Sequence, residues 1–464
     1  MRFAAYPKYK PSGVESLGDV PEQWNVKRGR FCMNVNPRSR QLRTLDPEDE
    51  VSFVPMEAVG EYGGLQLEQT RMIVDVGTGY TEFDDGDVVV AKITPCFENG
   101  KGALAAELVN GAAFGTTELH VLRPATHLER RFLFYFTISR LFRSTGEGEM
   151  YGAGGQKRVP PAFCKDVRVP LPPLDDQRSI ADFLDRGTAK IDALVAKKRT
   201  LIERLKEKRT ALISRTVTRG LPPDAARATG LDPHPKLKPS GIAALGDVPV
   251  GWRVKKLKCL ASDVRGSGIQ IGPFGGMLTE LSYDAEGDYK VYGQENTLSG
   301  DFASGERWIT HEQYLAMSNY HIAPGDVLFT RKGSIGGCSV IPFGVKPGII
   351  DSDTIRLRVD MSAVDTTFVL YSFKFSSYLQ GQVQEVKRGA ILSGLNSSTI
   401  GNLNFAIPSL QEQRAITAFL DSEMGIIDGL LAKIETAIER LQEYRTALIT
   451  AAVTGKIDLR ETVA

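Results

Sequence analysis

A chain of 464 residues with 42% hydrophobic and 24% charged residues has the composition of a soluble globular protein with room for at least two domains. No apolar run approaches the roughly 20 residues that span a bilayer, and Met1-Arg2-Phe3-Ala4-Ala5-Tyr6 lacks a signal-peptide core, so a cytoplasmic protein without a membrane role is expected. Five cysteines without a Cys-x-x-Cys pair argue against a disulfide or zinc framework, and a net charge of +1 excludes a protein that grips nucleic acid by overall charge alone.

The chain opens on Lys8-Tyr9-Lys10-Pro11-Ser12-Gly13, followed by Leu17-Gly18-Asp19-Val20-Pro21 and Trp24. Gly86-Asp87 then introduces Val88-Val89-Val90-Ala91, a turn followed by a buried strand, and His120-Val121-Leu122-Arg123 suggests another strand. Arg130-Arg131-Phe132-Leu133-Phe134-Tyr135-Phe136 fits either a buried helix or a strand, because periodicity alone does not separate them. Pro172-Pro173-Leu174-Asp175-Asp176-Gln177-Arg178 reads as a helix start, with its carboxylates at the cap and first turn.

The helix that follows spans about 40 residues, on the order of 60 Å at the usual rise. Ile191, Leu194, Leu201, Leu205 and Leu212 lie on its nominal coiled-coil seam, interrupted by Lys198, Lys208 and Arg215, while Val195, Ile202 and Ile213 widen the stripe. From Lys197 to Arg219 there are nine Lys/Arg and two Glu, a basic face that suits either phosphates or solvent. Proline-rich residues 220–234 end the helix as a linker.

The second half repeats this plan. Lys236-Leu237-Lys238-Pro239-Ser240-Gly241, Leu245-Gly246-Asp247-Val248-Pro249 and Trp252 follow the first copy at an offset of 228, from Pro11 to Pro239. Gly325-Asp326-Val327-Leu328-Phe329-Thr330 and Thr354-Ile355-Arg356-Leu357 suggest strands, and Thr367–Phe373 again fits helix or strand. Pro408-Ser409-Leu410-Gln411-Glu412-Gln413-Arg414 restarts the helical pattern at an offset of 236, from Gln177 to Gln413, which Arg209 and Arg445 maintain. Here Ile427, Leu430, Ile434, Ala437, Leu441, Tyr444, Leu448 and Ala451 form a cleaner seam. The ends of the unit are held while the interiors, roughly 25–170 and 253–406, diverge: a fixed frame carries two differently tuned domains.

Chemistry is sparse. The sequence contains no Walker A motif, no Asp- or Asn-Pro-Pro-aromatic motif, no Gly-x-Ser-x-Gly elbow and no His/Cys ligand spacing, so no catalytic residue and no metal site are expected. Candidate ligand-reading side chains sit in polar, glycine-punctuated loops: Lys92, Thr94, Asn99 and Lys101, then Gln156, Lys157 and Arg158. The second half offers Arg331, Lys332 and Ser334, then Lys387, Arg388, Ser393 and Asn396. Such side chains pair with base edges and phosphates, although each by itself also suits a solvated loop.

The duplicated Pro-x-Leu-x-x-Gln-Arg helix entry, the Lys-Pro-Ser-Gly…Leu-Gly-Asp-Val-Pro-x-x-Trp segment, Ala91-Lys92-Ile93-Thr94-Pro95-Cys96-Phe97-Glu98-Asn99-Gly100-Lys101-Gly102, Gly115-Thr116-Thr117-Glu118-Leu119-His120 and Ile271-Gly272-Pro273-Phe274-Gly275-Gly276 resemble the specificity subunit of type I restriction-modification systems. The resemblance implies an α+β fold: two mixed α/β target recognition domains separated by two long antiparallel coiled-coil helices, an internal pseudo-two-fold repeat. It implies recognition domains at 1–172 and 235–407, spacer helices at 173–219 and 408–455, a linker at 220–234 and a tail at 456–464. It further implies a bipartite, asymmetric double-stranded DNA site, with the helices as a ruler between half-sites. Two modification subunits would dock on the chain, with S-adenosylmethionine, and two restriction and translocation subunits, with ATP and Mg, would complete a phage-defence complex. The chain itself would carry no cofactor and do no chemistry. A scaffold that reads no DNA, or an autonomous DNA methyltransferase, are the alternative readings.

Overall fold

A computed structural model describes residues 3–76, 79–152, 155–234, 236–262, 268–274, 287–332, 337–389 and 395–460, with the side chains of 386–389 outside that description. The chain divides into two compact units, one of Met1–Arg199 with Ile434–Ala464 and one of Thr200–Lys433.

The first unit begins with a hairpin of Tyr9–Pro11 against Asp19–Pro21. A two-stranded stem follows, Asn25–Arg28 paired antiparallel with Arg168–Leu171, so the residues between leave and return through one ladder. Inside that stem lie two four-stranded sheets. One is ordered Met33–Val35, Leu119–Pro124, Val88–Ala91, Gly102–Leu104, all antiparallel. The other is ordered Thr70–Met72, Glu50–Val54, Ala112–Gly115, Thr81–Asp84, with one parallel pair in the middle. The valine run after Gly86-Asp87 is buried along its whole length. That burial on both faces explains a continuous apolar strand in place of an alternating one.

Arg130–Ile138 and Arg140–Gly148 are helices, capped by Glu129 and Ser139, whose side chains accept from the Phe132 and Phe142 amides. The segment that suited helix or strand is therefore a helix, and its counterpart Thr366–Phe375 is too, capped by Asp365.

The second unit reproduces the plan. A hairpin of Leu237–Pro239 with Asp247–Pro249 precedes a stem of Arg253–Lys256 with Asn404–Ile407. An antiparallel sheet runs in the order Ile269–Ile271, Thr354–Leu357, Val327–Thr330, Cys338–Val340. A three-stranded sheet joins Trp308–Ile309, Tyr289–Tyr292 and Gly348–Ile350.

The duplicated helix entry has a structural cause. Leu174–Arg219 and Leu410–Val453 are continuous helices of 46 and 44 residues. The Gln177 amide, fully buried, donates to the Pro172 and His127 carbonyls at 2.9 and 3.1 Å and accepts from the Glu129 amide at 2.8 Å. Gln413 repeats the pattern on Pro408, Ala363 and Asp365 at 3.0, 3.1 and 2.8 Å. Each glutamine thus ties the end of the stem, the start of the long helix and the cap of the shorter one. Trp252 Nε1 adds bonds to both Glu412 oxygens at 3.1 Å, with His234 Nε2 2.5 Å from the same carboxylate. In the first unit these places hold Trp24, Asp176 and Tyr6. The carboxylate is one methylene shorter, and the buried Trp24 Nε1 and Tyr6 Oη have no partner among the described residues.

The two long helices bury one side of the expected stripe and leave the other side exposed. Ile191, Val195, Leu448 and Ile449 are buried in the first unit, and Ile202, Ile213, Met424 and Ile427 in the second. Ile434 and Leu448 keep their expected places, and Leu205, Leu212 and Leu441 are half-buried. Leu194, Leu201, Leu430 and Tyr444 are instead more than two-fifths exposed. Both sides have the three-and-four spacing of a coiled coil. The buried one also carries Leu184 and Ile416, which must reach the core of the adjacent head, and that requirement selects it. Ion pairs cross the seam in each unit, Arg445 with Asp192 at 3.0 Å and Arg209 with Asp428 at 2.8 Å.

The expected linker and tail are also packed. Residues Pro223–Ala228 form a helix, and Leu221 and Ala226 enter the core of the second unit. Leu459 enters the core of the first, while Lys456 Nζ donates to the Asp19 carbonyl at 2.7 Å and the Asp458 amide to that of Ala4 at 2.8 Å. Among the described residues, no helix is long and apolar enough to cross a membrane.

Candidate nucleic-acid interface

In the first unit the strand Val88–Ala91 delivers Lys92 to the edge of the head. The Lys92 amide donates to the Glu118 carbonyl at 2.9 Å, and its carbonyl accepts from the Val159 amide at 2.8 Å. The Thr94 amide donates to the Lys157 carbonyl at 3.0 Å, and Tyr151 and Arg158 exchange backbone bonds at 3.2 and 2.9 Å. These contacts stitch residues 92–94, 118, 151 and 157–159 into one edge. Lys92 lines a cleft of about 470 Å³ with Asn36, Arg38, Tyr80 and Thr117. Gln156 and Lys157 are exposed beside the exposed ring of Tyr151.

The other first-half candidates face different surroundings. Arg158 binds Glu118 through two nitrogens, each at 2.9 Å, and these bonds hold the Glu118 carboxyl below its ordinary range. Lys101 Nζ donates to the Met56 carbonyl at 3.0 Å. Asn99 is exposed, with its amide 3.4 Å from Glu61 Oε1, and Thr94 Oγ1 lies 3.3 Å from Glu98 Oε1. The structure thus gathers Lys92, Thr94, Gln156 and Lys157 on one edge, and sets Asn99 and Lys101 on the neighbouring turn.

Beneath this edge His120 is buried, with Nε2 2.9 Å from the Val159 carbonyl and Nδ1 3.3 Å from the Asn36 amide nitrogen. Those partners make Nε2 the donor and the ring neutral. Burial is the main cause that lowers its pKa from 6.5. The unfolded chain therefore takes up this proton first as the pH falls. Stability is complete above about pH 6.5 and declines below it, by at most roughly 1.4 kcal/mol per pH unit until the folded-state value is reached. The melting temperature of the first unit is expected to drop between pH 7.5 and pH 5.5 by more in the natural chain than in His120→Gln. Equal drops would remove His120 as the cause.

The second unit builds the same edge. The Arg331 amide donates to the Asp353 carbonyl at 3.0 Å, and its carbonyl accepts from the Leu395 amide at 3.1 Å. Lys92, Glu118 and Val159 therefore correspond to Arg331, Asp353 and Leu395. The side-chain chemistry differs. Arg331 Nε donates to the Leu395 carbonyl at 3.0 Å, and its guanidinium lies 4.6 Å from the Phe274 ring centre. Lys332 Nζ is 2.6 Å from Asp353. Asn396 caps the helix Ser397–Asn402, accepting from the Thr399 amide at 2.8 Å. Ser334 and Ser393, and the side chains of Lys387 and Arg388, lie outside the described residues. Among the described residues no group of His, Cys, Asp and Glu could hold a metal ion.

Residues 78–204 and 273–440 match the family described as type I restriction modification DNA specificity domain. The chain belongs to this family. It is 39% identical over 179 residues to the type I restriction enzyme EcoAI specificity subunit of Escherichia coli, a stretch covering 37% of this chain and 30% of that one. The EcoEI specificity subunit of Escherichia coli is 37% identical over 176 residues, 38% of this chain and 29% of its own. The matched stretch thus spans less than a third of these two relatives. A putative type I restriction enzyme MjaX specificity subunit of Methanocaldococcus jannaschii is 21% identical over 460 residues, 96% of each chain. Among solved structures, a chain from a study of complex assembly and conformational transition of the type I R-M system superposes with a TM-score of 0.66 at 19% identity, over 94% of this chain and 99% of that one. The HsdS subunit from Thermoanaerobacter tengcongensis gives 0.51 at 21% identity, over 94% and 98%. These two establish likeness of fold.

In this specificity-family fold, sequence reasoning missed the ion pairs that brace both heads. Arg123 joins Asp87 at 2.6 Å and Asp84 at 2.8 Å, and Arg358 joins Asp326 at 2.7 Å. The signal lay in the Gly-Asp turns, whose aspartates face an arginine at the end of the central strand. Tyr151, Tyr80 and Arg38 were also missed; their signal was aromatic and basic residues inside polar loops.

Proposed function

We propose that the chain is the DNA-reading, non-catalytic subunit of a cytoplasmic type I restriction-modification complex. Residues 1–172 and 235–407 serve as recognition domains for the two halves of an asymmetric double-stranded site. The observation that carries this reading is the repeated edge, Lys92 with Glu118 and Val159, and Arg331 with Asp353 and Leu395. One backbone frame presents different side chains, as two different half-sites require. Lys92, Thr94, Asn99, Gln156 and Lys157 are the base- or phosphate-contacting candidates of the first head, with Tyr151 beside them. Lys332 serves the second, and Arg331 supports its edge. The exposed Leu194, Leu201, Leu430 and Tyr444 suit docking of modification subunits that carry S-adenosylmethionine, and restriction subunits that use ATP and Mg complete the complex. A net charge of +1 is compatible with this role when partners supply much of the phosphate grip.

The test is reconstitution. The purified chain alone is expected to neither methylate nor cleave DNA, and adding the modification subunit should produce adenine methylation at one bipartite sequence. Methylation by the lone chain, or sequence-independent methylation by the pair, would refute the reading.

A further inference from the structure

Arg143 is a buried cation that bonds no carboxylate among the described residues, the charge of Glu147 acting on it only at a distance. It lies on the helix Arg140–Gly148 at 5% exposure and forms no ion pair among the described residues. A methionine would fill similar space without desolvating a charge, so the arginine needs a reason. Its Nη1 donates to the Phe97 carbonyl at 2.7 Å, and Nη2 lies 3.4 Å from the Lys101 carbonyl. Its guanidinium carbon stands 4.7 Å from the Phe97 ring centre. The charge is thus applied to both ends of the turn that carries Asn99.

The same helix face holds that turn a second time. Gly146, three residues further, lies so close to the Phe97 ring that a Cβ there would fall 2.4 Å from it. Gly100, at φ +77°, closes the turn with its amide on the Phe97 carbonyl at 3.0 Å, and its own carbonyl accepts from the Tyr62 amide at 3.0 Å. The helix is itself anchored at its start, where the Arg140 amide donates to Thr450 Oγ1 at 3.0 Å. A continuous line of contacts therefore runs from the second long helix, through Arg143, to residues 97–101.

Among the described residues, the matching helix position of the second unit holds no such cation. Ser376 enters its helix as Ser139 enters the first, and the fourth residue onward is the exposed Gln380, bonded to the Lys374 carbonyl at 2.9 Å. We propose that Arg143 is a positioning residue for the first recognition head alone, holding the turn 97–101 in the geometry that reads its half-site. This rests on the DNA-reading function proposed above.

Two measurements test it. In hydrogen exchange on the full chain, Arg143→Met should speed the Gly100 and Lys101 amides at least about tenfold, leaving Val88–Ala91 and the second unit unchanged, and Arg143→Lys should restore most of the protection. Unchanged exchange at those two amides, or equal loss throughout the first unit with Arg143→Lys, overturns the proposal. In adenine methylation with the modification subunit, Arg143→Met should raise modification of single-mismatch sites about tenfold or more in one half of the sequence only. Relaxation of both halves, or of neither, overturns it. If the natural chain itself confers no sequence-specific methylation, the functional reading fails, and the exchange measurement still decides what Arg143 holds.

Discussion

Replacing residues 25–170 with the corresponding segment of another family member is expected to change one half of the recognised DNA sequence and leave the other half intact. The junctions are favourable because both lie on one ladder. Asn25 opposes Leu171, and Arg28 opposes Arg168. Trp24 and Gln177, which belong to the frame, remain outside the exchange. The sheets and the helices Arg130–Ile138 and Arg140–Gly148 travel together, so the cores within the stem are carried over with their loops. A mismatched base pair typically costs about 1–3 kcal/mol of binding, so the original half-site should lose roughly tenfold or more in methylation while the new one gains it. Sequencing of methylated adenines reads this directly. A change in both halves would mean that the heads do not read independently.

Gln177→Leu is expected to destabilise the first unit by on the order of 3 kcal/mol. The substitution leaves the Glu129 amide and the Pro172 and His127 carbonyls without the bonds that Gln177 supplies, in a place where water does not replace them. Because the same side chain joins stem, long helix and head helix, its loss separates three elements at once. Denaturant unfolding followed by a probe in each unit should show the first unit melting early, and Gln413→Leu should shift the second unit instead. An unchanged midpoint in both variants would show that the glutamines do not anchor the helices.

The heads illustrate how far local patterns reach. The turn-plus-strand segments at Gly86-Asp87 and Gly325-Asp326 were readable because a glycine, a polar turn residue and an apolar run sit next to one another. That Asp87 meets Arg123 and Asp326 meets Arg358 was not readable, because each pair spans the sheet and more than thirty positions of sequence. The candidate interface divides in the same way. Lys92 and Lys157 were legible as basic residues in polar loops, while only the backbone contacts brought them to one edge. Arg158 was legible on the same grounds, yet it is bound by Glu118.

By itself the sequence determined the duplication, the two helix entries and the helical course of both long segments, since these follow from repeated offsets and short-range periodicity. Tertiary structure decided which side of each helical stripe is buried, that residues 223–228 and 456–459 pack against the units, and that the Arg143 guanidinium meets the Phe97 and Lys101 carbonyls. The physical reason is the range of the forces involved. Helix starts and turns are settled by hydrogen bonds within a few residues, whereas burial and charge compensation depend on which distant surfaces meet.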